Sequence, residues 1–152
     1  MGDGVATGQL AVGTTRARLR ECGRMIDHVS LQVSDVPVST AFYEAVLAPL
    51  EIRPGHRDGA AVGFFSPGPG SFWIIPAQRP HDRELHLAFA ARSRDEVQGF
   101  HQAAVALGAE VLNAPRVFPE YDTDYYAAFV RDPDGHNIEA VCRRAPGGSA
   151  GG

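Results

Sequence analysis

The sequence predicts an α+β domain made of two βαβββ modules, whose strands form a curved mixed sheet with the helices on its outside. Three observations carry this. Residues 26–33 (Ile-Asp-His-Val-Ser-Leu-Gln-Val) align without a gap on residues 84–91 (Glu-Leu-His-Leu-Ala-Phe-Ala-Ala), an offset of 58. The same offset sets Asp35 on Ser93, Phe42 on Phe100, Ala45 on Ala103 and Leu47 on Val105, so the repeat runs through a whole supersecondary unit. Both copies open with period-two alternation and continue with a helical pattern.

In the first strand Val29, Leu31 and Val33 share one face, and His28, Ser30 and Gln32 the other. In its repeat Leu85, Leu87 and Phe89 oppose His86, Ala88 and Ala90. The apolar face is expected under the following helix, and the histidines on the side facing away. Helices are expected over about 38–47, with Pro37 at the start, and about 95–107, with Gly108 as the stop. Strands follow at about 50–55, 60–66 and 71–76 in the first module, the last two separated by Pro67-Gly-Pro-Gly70. In the second they fall at about 109–112, 125–131 and 136–142, the last two separated by the turn signal Asp132-Pro-Asp-Gly135. Each module leaves one sheet face in need of a cover, and two such sheets side by side make a cup.

The domain is expected over residues 25–143, with modules of about 25–80 and 81–143. Residues 1–24, rich in Gly, Thr and Arg, read as a flexible leader, with Met25 as an alternative start, and residues 144–152 as a flexible tail. Every basic residue is arginine, and residues 25–142 hold eight of them against sixteen acids. That negative field repels phosphate backbones and argues against nucleic-acid partners. No apolar run is long enough for a membrane helix or a secretory signal, so the cytoplasm is the expected location. Cys22 and Cys142 are expected to be reduced thiols.

Three residues stand out chemically. His28 and His86 occupy matching positions in the repeat, and Glu139 sits mid-strand in His136-Asn-Ile-Glu-Ala-Val-Cys142, where a carboxylate is costly unless paired or on a metal. Two imidazoles and one carboxylate suit one divalent ion, Fe, Mn, Zn, Ni or Co, with coordination positions left for substrate oxygens. All three are expected to converge in a shared hollow. The loop Glu120-Tyr-Asp-Thr-Asp-Tyr-Tyr126 leads into the strand before Glu139, which makes Tyr121, Asp122 and Tyr125 candidate acids or bases at the mouth of the cup. Ser30 shares the face of His28, and Trp73 offers a ring for stacking; both are candidate substrate contacts. His56, His81, His101 and His136 read as surface or turn residues.

Residues 26–35, Ala41-Phe-Tyr43, His86-Leu-Ala-Phe89 and above all Phe129-Val-Arg-Asp-Pro-Asp-Gly-His-Asn-Ile-Glu139 resemble the vicinal-oxygen-chelate superfamily of glyoxalases, bleomycin-resistance proteins and extradiol dioxygenases. The resemblance spans nearly all of 25–142 and matches best its small bacterial branch. It implies a metal on His28, His86 and Glu139, a small oxygen-rich substrate bound through two neighbouring oxygens, and a homodimer. The reaction would be that of a lyase, isomerase, transferase or dioxygenase. Members that sequester drugs or metabolites without a metal supply the alternative. Three departures matter, the first being that the cationic cluster and potassium site of fosfomycin-resistance thiol transferases have no evident counterpart in a domain this acidic. Where glyoxalase-type lyases take a fourth ligand, this chain has Trp73 or Ile74, and where extradiol dioxygenases carry a tyrosine it has Phe129.

Overall fold

The computed structural model describes residues 26–68, 70–78 and 83–145. The expected leader, Cys22, Met25, His81 and the tail from 146 onward lie outside the described residues. The first module runs β1 (His28–Val33), α1 (Val36–Leu47), a 3₁₀ turn (Ala48–Leu50), β2 (Arg53–Asp58), β3 (Ala61–Phe65) and β4 (Ser71–Pro76). The second runs β5 (His86–Ala90), α2 (Arg94–Ala106), β6 (Val111–Val117), β7 (Tyr126–Arg131) and β8 (Asn137–Cys142). Each module is a four-stranded mixed sheet, ordered β1-β4-β3-β2 and β5-β8-β7-β6. β1 pairs parallel with β4 and β5 with β8, while the other neighbours are antiparallel.

The repeat extends to the helix caps. Asp35 accepts the Val38 amide at 2.9 Å, and Ser93, 58 residues on, accepts the Glu96 amide at 3.2 Å. Each satisfies an amide that the first turn leaves without a partner. Glu96 in turn accepts the Arg92 amide at 2.7 Å, closing the second cap from both sides.

Two strands differ from expectation. β2 starts at Arg53 rather than about 50, because Pro49 sits in the 3₁₀ turn and Glu51 takes the left-handed conformation (φ 59°) before the chain straightens. β6 runs on to Val117 through Pro115, which an edge strand tolerates; its register slips at 111/113 and again at 113/116.

A single apolar core lies on the helix side of both sheets. Leu31, Val33 and Ile74 come from the first sheet, Ile138 and Ala140 from the second, and Val46, Leu47 and Phe100 from the helices between. Phe72 and Phe89, each on the helix side of its own sheet, meet edge to face at 5.3 Å. Cys142 is buried in the same core. The modules are also tied by Arg92, which bonds Glu96 on α2 and reaches Glu51 at 2.8 Å. Among the described residues no helix is long and apolar enough to cross a membrane.

Candidate functional site

In the second module the register sets Glu139 beside Ala88 on one side and Phe129 on the other, with His86 beside Asn137. Paired residues of a sheet share a face, so His86, Phe129 and Glu139 all lie on the side away from the helices. Phe118, Tyr125, Ala127 and Phe129 form a small second core there. It leaves Glu139 only 1% exposed. Both carboxylate oxygens are engaged. Tyr125 donates its hydroxyl to Oε1 at 2.6 Å, and Nε2 of His86 lies 3.0 Å from Oε2. The imidazole stacks on Phe129 (centroids 6.0 Å, planes 22° apart) and remains half exposed. Burial first, and then the hydrogen bond and charge of Glu139, push the Tyr125 hydroxyl up to about 12. It is therefore a fixed proton donor at neutral pH.

The loop carrying Tyr121 and Asp122 folds back on itself through the Phe118 amide to the Tyr125 carbonyl at 2.8 Å. Tyr121 stacks on Phe118 at 6.0 Å and is 65% exposed. Together with His86, Tyr125, Glu139 and Arg143 it lines a hollow of about 550 Å³. Asp122 does not line it. Its carboxylate accepts the Thr123 amide at 2.7 Å and pairs with Arg143 at 3.5 Å.

The first module presents an equivalent face. His28 is 61% exposed, with Nδ1 3.2 Å from Asp27 Oδ1. His28, Ser30, Asp58, Ser71 and Trp73 line a hollow of about 420 Å³. Here the register pairs His28 with Ser71 and Ser30 with Trp73, as His86 pairs with Asn137 and Ala88 with Glu139. Trp73 is thus the counterpart of Glu139. Ile74 points the other way and is fully buried in the core.

Within one chain His28 does not join His86 and Glu139, contrary to the expected convergence. Among the described residues no three His, Cys, Asp or Glu side chains are grouped to hold a metal. The physical reason is the shared core. Both sheets turn their helix sides toward it, so the two faces bearing the histidines turn outward. His136 departs from expectation as well. It follows the Asp132–Gly135 turn, as predicted, but is buried, and its Nδ1 accepts the Leu85 amide at 3.2 Å. His56 packs edge to face on Trp73 at 6.0 Å, and His101 lies on α2. Phe129, Asn137 and Arg143 were missed as lining residues of the second hollow. The period-two face of β8 through Glu139 would have found Asn137.

The Glyoxalase/Bleomycin resistance protein/Dioxygenase superfamily model matches residues 25–140, and the chain belongs to that superfamily. Metallothiol transferase FosB of Shouchella clausii (strain KSM-K16) is 27% identical over 122 residues, covering 75% of this chain and 77% of that protein. A glyoxalase/bleomycin resistance protein from Albidiferax ferrireducens T118 superposes with a TM-score of 0.70 at 32% identity, covering 78% of this chain and 99% of that one. A lactoylglutathione lyase from Agrobacterium tumefaciens shares the fold (TM-score 0.60, 19% identity, 79% of this chain and 93% of that one).

Proposed function

We propose that this protein is a metal-dependent enzyme whose site forms between two copies of the chain. His86 and Glu139 come from one copy and His28 comes from the partner. The observation that carries this reading is Glu139: a carboxylate removed from water, one oxygen held by Tyr125, the other facing an imidazole nitrogen 3.0 Å away. Burying an ionised group costs several kcal/mol unless its partners compensate, and a cation adjoining both donors supplies that compensation. The donor set fits a divalent ion in part within one chain, and the outward-facing His28 is the missing imidazole. A dimer that sets the open face of one first module against the open face of the partner's second module covers both surfaces.

A divalent metal held by His86 and Glu139 of one copy and His28 of the other would supply Lewis-acid chemistry to a small oxygen-rich substrate. The chain's own residues do the rest. Tyr125 keeps Glu139 oriented, Phe118 and Phe129 exclude water from the carboxylate, and Tyr121 and Arg143 border the entrance, where a substrate's oxygens first meet polar groups. The kinship to a metallothiol transferase and to a lactoylglutathione lyase supports a small-molecule substrate. Asp122, which pairs with Arg143 on the surface outside the hollow, is not assigned a proton-transfer role.

The second reading is a metal-free binder of a drug or metabolite. It is favoured by the fact that His86 and Glu139 already satisfy each other. Metal analysis of protein purified without chelators or a histidine tag separates the two. Near-stoichiometric metal, lost in both His28→Ala and His86→Ala, supports the enzyme. Wild-type protein without metal that still binds a planar antibiotic supports the binder.

A further inference from the structure

We infer that His136 is the positioning residue that sets the His86 imidazole against Glu139, an inference that takes from the proposal above only that these two side chains work as a pair within one chain. β5 is an edge strand, hydrogen-bonded to β8 alone, and His86 is its first residue. The end of an edge strand is where a sheet frays most easily, so the ring needs support from outside the ladder. Arg131, His136 and Asn137 supply it to the two residues before His86. Arg131 pairs with Glu84 at 2.8 Å while holding the Gly135 carbonyl at 2.7 Å. The Leu85 carbonyl accepts the Asn137 amide at 2.9 Å, and the Leu85 amide donates to Nδ1 of His136 at 3.2 Å.

His136 can serve as that anchor because it is itself fixed. It is 4% exposed. Asp132 holds both of its backbone groups, accepting its amide on Oδ1 at 2.8 Å and donating to its carbonyl at 3.1 Å. An amide that donates to Nδ1 requires the tautomer with its proton on Nε2. The first module shows the arrangement without the anchor. There Ser71 donates its amide to the Asp27 carbonyl at 3.2 Å, as Asn137 does to Leu85, which puts Gly70 in the place of His136. Gly70 has no side chain to offer and takes a φ of 102°, where a Cβ would come within 3.3 Å of the Asp27 carbonyl oxygen. Across the strand from His28, Trp73 takes the position of Glu139. The module whose histidine has a carboxylate to meet there is the one that carries the anchor.

The test is nuclear magnetic resonance of the isotope-labelled, chelator-treated full-length protein at neutral pH. In the wild type the Nε2 proton of His86, which bonds Glu139, is expected as a resolved resonance whose protection from solvent exchange matches that of the Leu85 amide. His136→Phe keeps a ring and removes the acceptor. Both protons are then expected to exchange about tenfold faster, the weight of one buried hydrogen bond. His136→Asn returns an acceptor oxygen near the place of Nδ1 and is expected to restore the protection of both. Circular dichroism checks that each variant is folded. A folded His136→Phe with an unchanged Nε2 proton, or a His136→Asn that does not restore it, overturns the role of His136 and leaves the His86–Glu139 pair standing. Should His136→Phe not fold, the wild type decides: a Leu85 amide exchanging far faster than the Nε2 proton overturns the inference, and matched protection with rescue by His136→Asn supports it. A wild type with no protected Nε2 proton has no such pair, which overturns the reading of the site and this inference with it.

Discussion

The hydroxyl of Tyr43, fully buried on α1 of the first module, donates to Asp132 Oδ2 at 2.6 Å in the turn that launches β8 of the second. Asp132 also gathers the amides of Asp134 and His136 on its other oxygen at 3.0 and 2.8 Å. Asp134 reaches back to the Ser34 amide at 3.0 Å. The start of α1 and the strand carrying Glu139 are therefore clamped together, and the clamp belongs to the same packing that turns the two open faces outward.

Tyr43→Phe is expected to cost about 1–3 kcal/mol, because a buried carboxylate oxygen loses its donor. The phenol is held well above its ordinary value, by burial first and then by Asp132. The folded chain thus keeps a proton that the unfolded chain releases above about pH 10, and stability should fall as pH rises through that point. Denaturant midpoints at about pH 8 and about pH 10.5 measure this slope. Tyr43→Phe should make it shallower, leaving the smaller share due to Tyr125. An unchanged slope would contradict the account.

Tyr125→Phe removes the donor to Glu139 Oε1 and should weaken metal binding about tenfold, as loss of an orienting partner does. Asp122→Asn, which changes a group outside the hollow, should leave metal affinity alone. Competition with a fluorescent chelator reads both variants. If Asp122→Asn proves the more damaging, the placement of these two residues in the mechanism is wrong.

A heterodimer of His28→Ala and His86→Ala chains, isolated with two different non-histidine tags, carries one intact site and one doubly defective site. It should hold about half the wild-type metal, while either mutant homodimer holds almost none. A heterodimer as empty as the homodimers would end the two-copy arrangement.

Gly63→Ala puts a methyl group where Phe65 and Trp73 leave no room. The rings must lift, at about 1–3 kcal/mol, and the emission maximum of the sole tryptophan should shift. Unfolding in urea followed by circular dichroism gives the first quantity and steady-state fluorescence the second. No change in either would mean that the rings are not held down by this glycine.

Much of this was legible in the chain itself. The offset of 58 residues already sets Asp35 on Ser93, and the structure makes both of them helix caps, because capping depends on one side chain and the amide three residues on. Alternation in β1 and β5 already separates the core face from the histidine face, since successive side chains of a strand point to opposite sides. Local rules of this kind need no knowledge of the rest of the fold. They also identify Glu139 as a carboxylate placed where water is scarce. What they cannot supply is the direction in which each face looks. Only packing decided that Leu31, Ile74, Ile138 and Ala140 share one core, and burying them together forces His28 away from His86. Packing also turned Trp73 rather than Ile74 toward the hollow, buried His136, and left Asp122 outside the lining of the second hollow, paired with Arg143. Periodicity is a property of neighbours along the chain; convergence is set by which apolar surfaces leave water together.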